Sequence, residues 1–178
     1  MPFRNKPPDV RAAYAAIVKL ARAPELYRAG GVPDSFDGRF DMMAVHVHLV
    51  LRRLRRAGAE HEEASQELFD LFFRDMDQSM RGAGIGDMGI ARKIRTMVEA
   101  FYGRAAAYDA ALNTGKKTAL CAVLARNLFP TEPAAPTGVR CAPLAAYIAE
   151  LEIALSVRSP EAVLAGDLCT PDIALPRQ

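Results

Sequence analysis

The residues whose types could do chemistry fall in four places. Gly84-Ile85-Gly86-Asp87-Met88-Gly89 is a literal G-x-G-x-x-G. That fingerprint holds a pyrophosphate only where a strand leads into the glycines and a helix leaves them. Here a long amphipathic pattern precedes it, and Asp87 sits where the phosphate would come. A tight helix–helix connection is the reading the context supports. Thr114-Gly115-Lys116-Lys117-Thr118 matches only the end of a P-loop, since the required first glycine is Ala110, and it reads as a helix cap. His46 and His48 are two apart, so on a helix they point about 200° apart and cannot share a metal. One would touch the core while the other faces solvent. His61 stands alone. Cys121, Cys141 and Cys169 are odd in number and widely spaced, which is neither a zinc pattern nor a disulfide framework. No serine, histidine and acid, or cysteine and histidine, share a local signature. The expectation is a protein that is not an enzyme and uses no metal or cofactor.

The elements that position these residues are helices. The organising stretch is Arg81–Arg104, a glycine-rich turn followed by a long period. Ile90, Ile94, Met97, Phe101, Ala105, Tyr108 and Leu112 form one stripe at steps of three and four. Asp87 can cap that helix through its carboxylate, and Gly89 is the other possible cap. Upstream, Phe40, Met43, Val47, Val50, Leu51 and Leu54 predict a helix over about 38–57. Glu60–Met80 predicts another, with Ala64, Leu68, Leu71, Phe72 and Met76 inward and Phe69, Phe73 and Met80 widening its apolar face. That face is either core or a partner groove, because Met and aromatic surfaces adapt to varied apolar partners.

Shorter helices follow Pro7-Pro8-Asp9 and Pro24, the second ending at Gly30-Gly31. Val32–Gly38 reads as a loop. Further helices are predicted over about 116–127, around Leu144–Leu155, and after Ser159-Pro160. No alternating strand and no repeat is present. The fold class is all-α, a single helical domain of about six to eight helices. Its divisions are an N-terminal helical segment at 1–33, a core at 34–129, a Pro-rich linker at 130–139, and a helical segment at 140–178 packed on the core. The tail from Thr170 reads as irregular.

Composition bounds function only loosely. Net charge is +2 and charged residues are 25 %, too weak a bias to argue for nucleic acid. Hydrophobic residues reach 51 %, enough to bury a core, but no run is long enough to span a bilayer. The start, MPFRNKPPD, lacks the apolar run of a secretory signal. Arg52, Arg53, Arg55 and Arg56 crowd the end of one helix. They either complement its dipole and solvate the surface, or face anionic lipid or ribosomal RNA.

The run from Phe73 to Leu112 resembles the ubiquinol–cytochrome c chaperone family, and Gly38–Arg55 and Val123–Phe129 resemble its flanking parts. The resemblance covers roughly 34–129. Its most specific pieces are Arg81 with Gly84-Ile85-Gly86-Asp87, and Phe101-Tyr102-Gly103-Arg104. Gly82 and Ala83 stand where the family usually has a carboxylate and a larger apolar residue, and Gly89 where a small hydroxyl residue is common.

The resemblance implies a chaperone of the respiratory chain that binds newly made cytochrome b during assembly of the bc1 complex. It would work with a small partner protein near the ribosome in mitochondria, on the matrix side. In a bacterium it would be cytoplasmic and peripheral to the inner membrane. Arg81, Asp87, Lys93, Arg95, Tyr102 and Arg104 are the candidate partner-binding residues, and Arg52, Arg53, Arg55 and Arg56 the candidate membrane or ribosome contact. The alternative is a small lipid- or quinone-binding helical protein at the membrane surface.

Overall fold

The computed structural model describes residues 9–82, 84, 86–129 and 134–168, with backbone alone over 134–140. Pro7, Pro8, Ala83, Ile85, Pro130, Cys169 and the tail from Thr170, all of which figure in the sequence reading, lie outside the described residues. The described residues form eight α-helices and one 3-10 turn: α1 Arg11–Ala21, α2 Pro24–Arg28, α3 Phe36–Ala57, the 3-10 turn Ala59–His61, α4 Glu62–Gly82, α5 Asp87–Asn113, α6 Lys117–Leu128, α7 Ala134–Ser156 and α8 Pro160–Leu164. The all-α expectation holds.

Helix α3 is the axis of the domain. From Phe40 to Leu54 only Arg53 is not buried. A helix that is apolar on every side must be surrounded, and α1, α4, α5, α6, α7 and α8 all pack on it. Ser35 starts it by accepting a hydrogen bond from the Gly38 N–H at 3.1 Å. Gly38 is required because a Cβ there would sit 2.0 Å from the Pro33 carbonyl oxygen. The sequence reading took Val32–Gly38 as loop and missed this cap.

Helices α4 and α5 bring aromatic rings against α3. Phe72 stacks on Phe40 with centroids 5.8 Å apart, and Phe101 meets both Phe72 and Phe73 at 6.0 Å. The predicted α5 stripe is buried at Ile90, Met97, Phe101, Ala105 and Tyr108, and half-buried at Ile94 and Leu112. Tyr14 ties α1 to α4 by donating to Asp75 at 2.8 Å.

Two boundaries differ from expectation. Helix α1 has Val10 at its N-cap position, and Asp9, one residue earlier, accepts the Arg11 N–H of the first turn at 3.1 Å. Helix α7 already begins at Ala134, inside the predicted linker, and carries Pro143 within it. Pro136 falls in the first turn, where the missing N–H costs nothing.

Candidate functional site

The glycine turn between α4 and α5 is a connection. Arg81 O accepts the Gly84 N–H at 3.0 Å, and Gly84 has φ 79°, a left-handed conformation that suits glycine. Gly86, not Asp87 or Gly89, occupies the N-cap position of α5, with no side-chain cap. Asp87 is the first helical residue, and its carboxylate pairs with Arg81. Arg81 also holds Asp77 at 2.6 Å. The Asp87 carboxylate is thus engaged by Arg81, six residues back, and the expected side-chain cap is absent. At the next break, Thr114 donates to the Ala111 carbonyl at 2.6 Å and accepts the Lys116 N–H at 3.1 Å, which is the cap read from the sequence.

The arginine run at the end of α3 is spent inside the chain. Arg52 is 6 % exposed. Its guanidinium pairs with Asp109 of α5, lies 3.2 Å from Glu152 of α7, and donates to Asn113 at 2.6 Å. Arg56 reaches Glu152 at 2.8 Å and Arg55 reaches Asp109 at 3.3 Å. Arg53 donates twice to the Arg158 carbonyl, at 2.8 and 2.6 Å. Arg52 is therefore corrected from a surface contact to a buried tie between three helices. Only Arg55 and Arg56 remain exposed, and both are paired. The reason is that the matching carboxylates lie more than fifty residues away, beyond any local pattern.

Both α3 histidines are buried, contrary to the expectation that one faces solvent, because α3 has no solvent side at that level. His46 Nδ1 donates to the Met42 carbonyl at 2.7 Å, and Nε2 accepts from the Tyr147 hydroxyl at 2.9 Å. Burial lowers its pKa to about 4. Burial does the same to His48, also to about 4, against the attraction of Asp109 at 3.1 Å. No group of three or more His, Cys, Asp or Glu among the described residues could hold a metal ion.

The candidate partner residues separate. Arg104 is turned inward. It lies 2.8 Å from the buried Asp41 carboxylate and over the Phe40 ring at 5.5 Å, so it is a packing residue and not a surface contact. Lys93 lies over the Phe36 ring at 4.5 Å. Arg95 is exposed. Tyr102 is 59 % exposed and stands at 5.5 Å from Phe69.

Tyr102 also lines a cleft in the surface. The cleft, of about 430 Å³, separates the start of α4 from the middle of α5, over the end of α3. Its apolar wall is Leu51, Ala59, Phe69, Phe101, Tyr102 and Ala105, and its rim carries Arg55, Glu62, Ser65 and Gln66. Of the wide aromatic face predicted on α4, Phe72, Phe73 and Met76 go to the core. Phe69 is half-buried and forms the cleft wall. Sequence reasoning found Tyr102 and Phe69 but not Ser65, Gln66 or Glu62. These sit one helical turn apart on the face of α4 that carries Phe69, and that spacing was the available signal.

A family model described as ubiquinol–cytochrome C chaperone matches residues 28–170. The match runs past the 34–129 read from the sequence and takes in α7, α8 and the whole described C-terminal segment. The chain is 24 % identical over 116 residues to ubiquinol-cytochrome-c reductase complex assembly factor 1 of Xenopus laevis, a match that takes in 65 % of this chain and 58 % of that protein. The crystal structure of the Cbp3 homolog from Brucella abortus aligns with a TM-score of 0.81 at 36 % identity, over 92 % of this chain and 89 % of that one. The chain belongs to the ubiquinol–cytochrome C chaperone family.

Proposed function

We propose that this member of the ubiquinol–cytochrome C chaperone family assists assembly of the bc1 complex by holding newly made cytochrome b, and that the cleft between α4 and α5 is where it holds it. The observation that carries the placement is the half-exposed aromatic wall of Phe69 and Tyr102, open at the surface beside the buried rings of Phe40, Phe72, Phe73 and Phe101. A membrane protein not yet inserted presents apolar side chains. A recognition surface for it needs an apolar centre and a polar rim, and the cleft has both.

No helix among the described residues is long and apolar enough to cross a membrane. On this reading the protein meets its client at the membrane surface, on the cytoplasmic face in a bacterium. The test is the bc1 content of membranes from a strain lacking the gene, restored or not by the intact protein. Loss that only the intact gene repairs supports the proposal. Normal bc1 levels in the deletion strain end it.

The cleft volume also suits a small apolar ligand, since such pockets hold about 300–1,000 Å³. Organic extraction of the purified protein decides between the readings. A stoichiometric quinone or lipid in the extract would favour a carrier.

A further inference from the structure

We infer that the cleft selects apolar segments that carry lysine or arginine at one end. This rests on the reading of the cleft as the client site and names the chemistry of what enters it. The two charged residues on the rim are not equivalent. Arg55 already faces a carboxylate, Asp109, at 3.3 Å. Glu62, on the opposite lip, is exposed and has no cationic partner among the described residues. Glu63 follows it, also exposed.

An acid in the first turn of a helix complements the dipole, and that alone would account for Glu62. Its place on the lip of an aromatic-walled cleft adds a second consequence. An apolar segment lying against Phe69 and Tyr102 passes an uncompensated negative charge, with Ser65 and Gln66 beside it. Gln66 donates one N–H to Asp70 at 2.8 Å and keeps a second N–H and its carbonyl oxygen for solvent or a guest. The Glu62 carboxylate is the one formal charge on that lip without a counter-ion among the described residues. The complementary guest is apolar along its length and cationic at its end. Transmembrane segments carry that pattern on their cytoplasmic flank, where lysine and arginine concentrate. A guest with an acidic flank meets repulsion instead.

The probes are three fluorescent twelve-residue peptides of leucine and alanine, ending in two lysines, two glutamates or two serines. Binding is measured by anisotropy with the full-length protein at low and at high salt. The lysine peptide should bind about tenfold tighter than the glutamate peptide, because one exposed ion pair turns from attraction to repulsion. High salt should shrink the gap. Glu62→Lys should invert the preference, with melting lowered only by the small cost of a reversed charge in a helix's first turn, and Gln66→Trp, which fills the cleft, should weaken all three peptides.

Equal binding of the three peptides, or a preference that Glu62→Lys leaves alone, overturns the charge selection while the cleft itself stands. Binding that Gln66→Trp leaves intact places the peptides elsewhere and overturns both. Absence of binding by any peptide removes the cleft as an apolar site, and with it this inference. The bc1 content of the deletion strain, measured separately, still decides the broader function.

Discussion

Arg104 on α5 stands 2.8 Å from Asp41 on α3, joining the two helices across the buried side of the domain. Burial pushes the Asp41 carboxyl up to about 7, and Arg104 pulls against that shift. Removing the cation leaves an acid that can be buried only with a proton. Arg104→Ala should therefore cost about 3 kcal/mol, the lower end for breaking a buried pair, because protonation relieves the stranded carboxylate.

The pH dependence of that variant is fixed in sign. A carboxyl whose folded pKa is raised lends stability at low pH that is lost as pH rises through the folded value. Without Arg104 the folded value rises further. Urea melts of Arg104→Ala should show a larger deficit at pH 8 than at pH 6. An equal deficit at both would mean that Asp41 is not the group left behind.

The histidines act in the opposite direction. Burial holds His46 and His48 neutral, with pKa values of about 4 against an ordinary 6.5. Their contribution is present above 6.5 and is lost as pH falls toward 4, because the unfolded chain takes up the protons first. Two histidines outweigh one carboxyl in that interval, so the protein should lose stability on acidification. His46→Gln should flatten the dependence. A profile unchanged in His46→Gln and in His48→Gln would contradict the burial of these rings as the cause.

Two caps separate by what their side chains touch. Ser35 bonds the Gly38 N–H, so Ser35→Ala should cost about 1 kcal/mol. Asp87 bonds no N–H of its helix, and Asp87→Ala should cost clearly less. Chemical denaturation of the two variants side by side checks the order. The reverse order would show that the glycine turn depends on the Asp87–Arg81 pair more than its exposed setting suggests.

At the end of α3, Arg52→Ala should destabilise by about 3 kcal/mol, since Arg55 and Arg56 remain to face the abandoned Asp109 and Glu152. A melt indistinguishable from that of the parent protein would return Arg52 to the surface role first read for it.

What was legible in the sequence was the part written in local spacing. The stripes of α3, α4 and α5, the cap at Thr114-Gly115 and the Ser159-Pro160 start follow from periodicity and capping chemistry within a few residues. The arginine run was misread because Asp109 and Glu152 enter through tertiary packing. His46 and His48 do point apart, but the fold closes over both sides of α3, which no two-residue spacing reveals. Helix α7 starts at Ala134, within the stretch read as a linker, because a proline in a first turn costs no hydrogen bond. The cleft was half visible: Phe69 and Tyr102 drew notice by type, while the polar lip opposite them depends on how α4 and α5 diverge.

The most direct measurement places a photo-crosslinking benzoyl-phenylalanine at residue 102, on the cleft wall, and at residue 19, exposed on α1. Both variants are irradiated in cells that are making cytochrome b. Cytochrome b should be captured from position 102 and not from position 19. No cytochrome b from position 102 in a folded variant, or equal capture from both positions, would contradict the cleft as the place where the client is held.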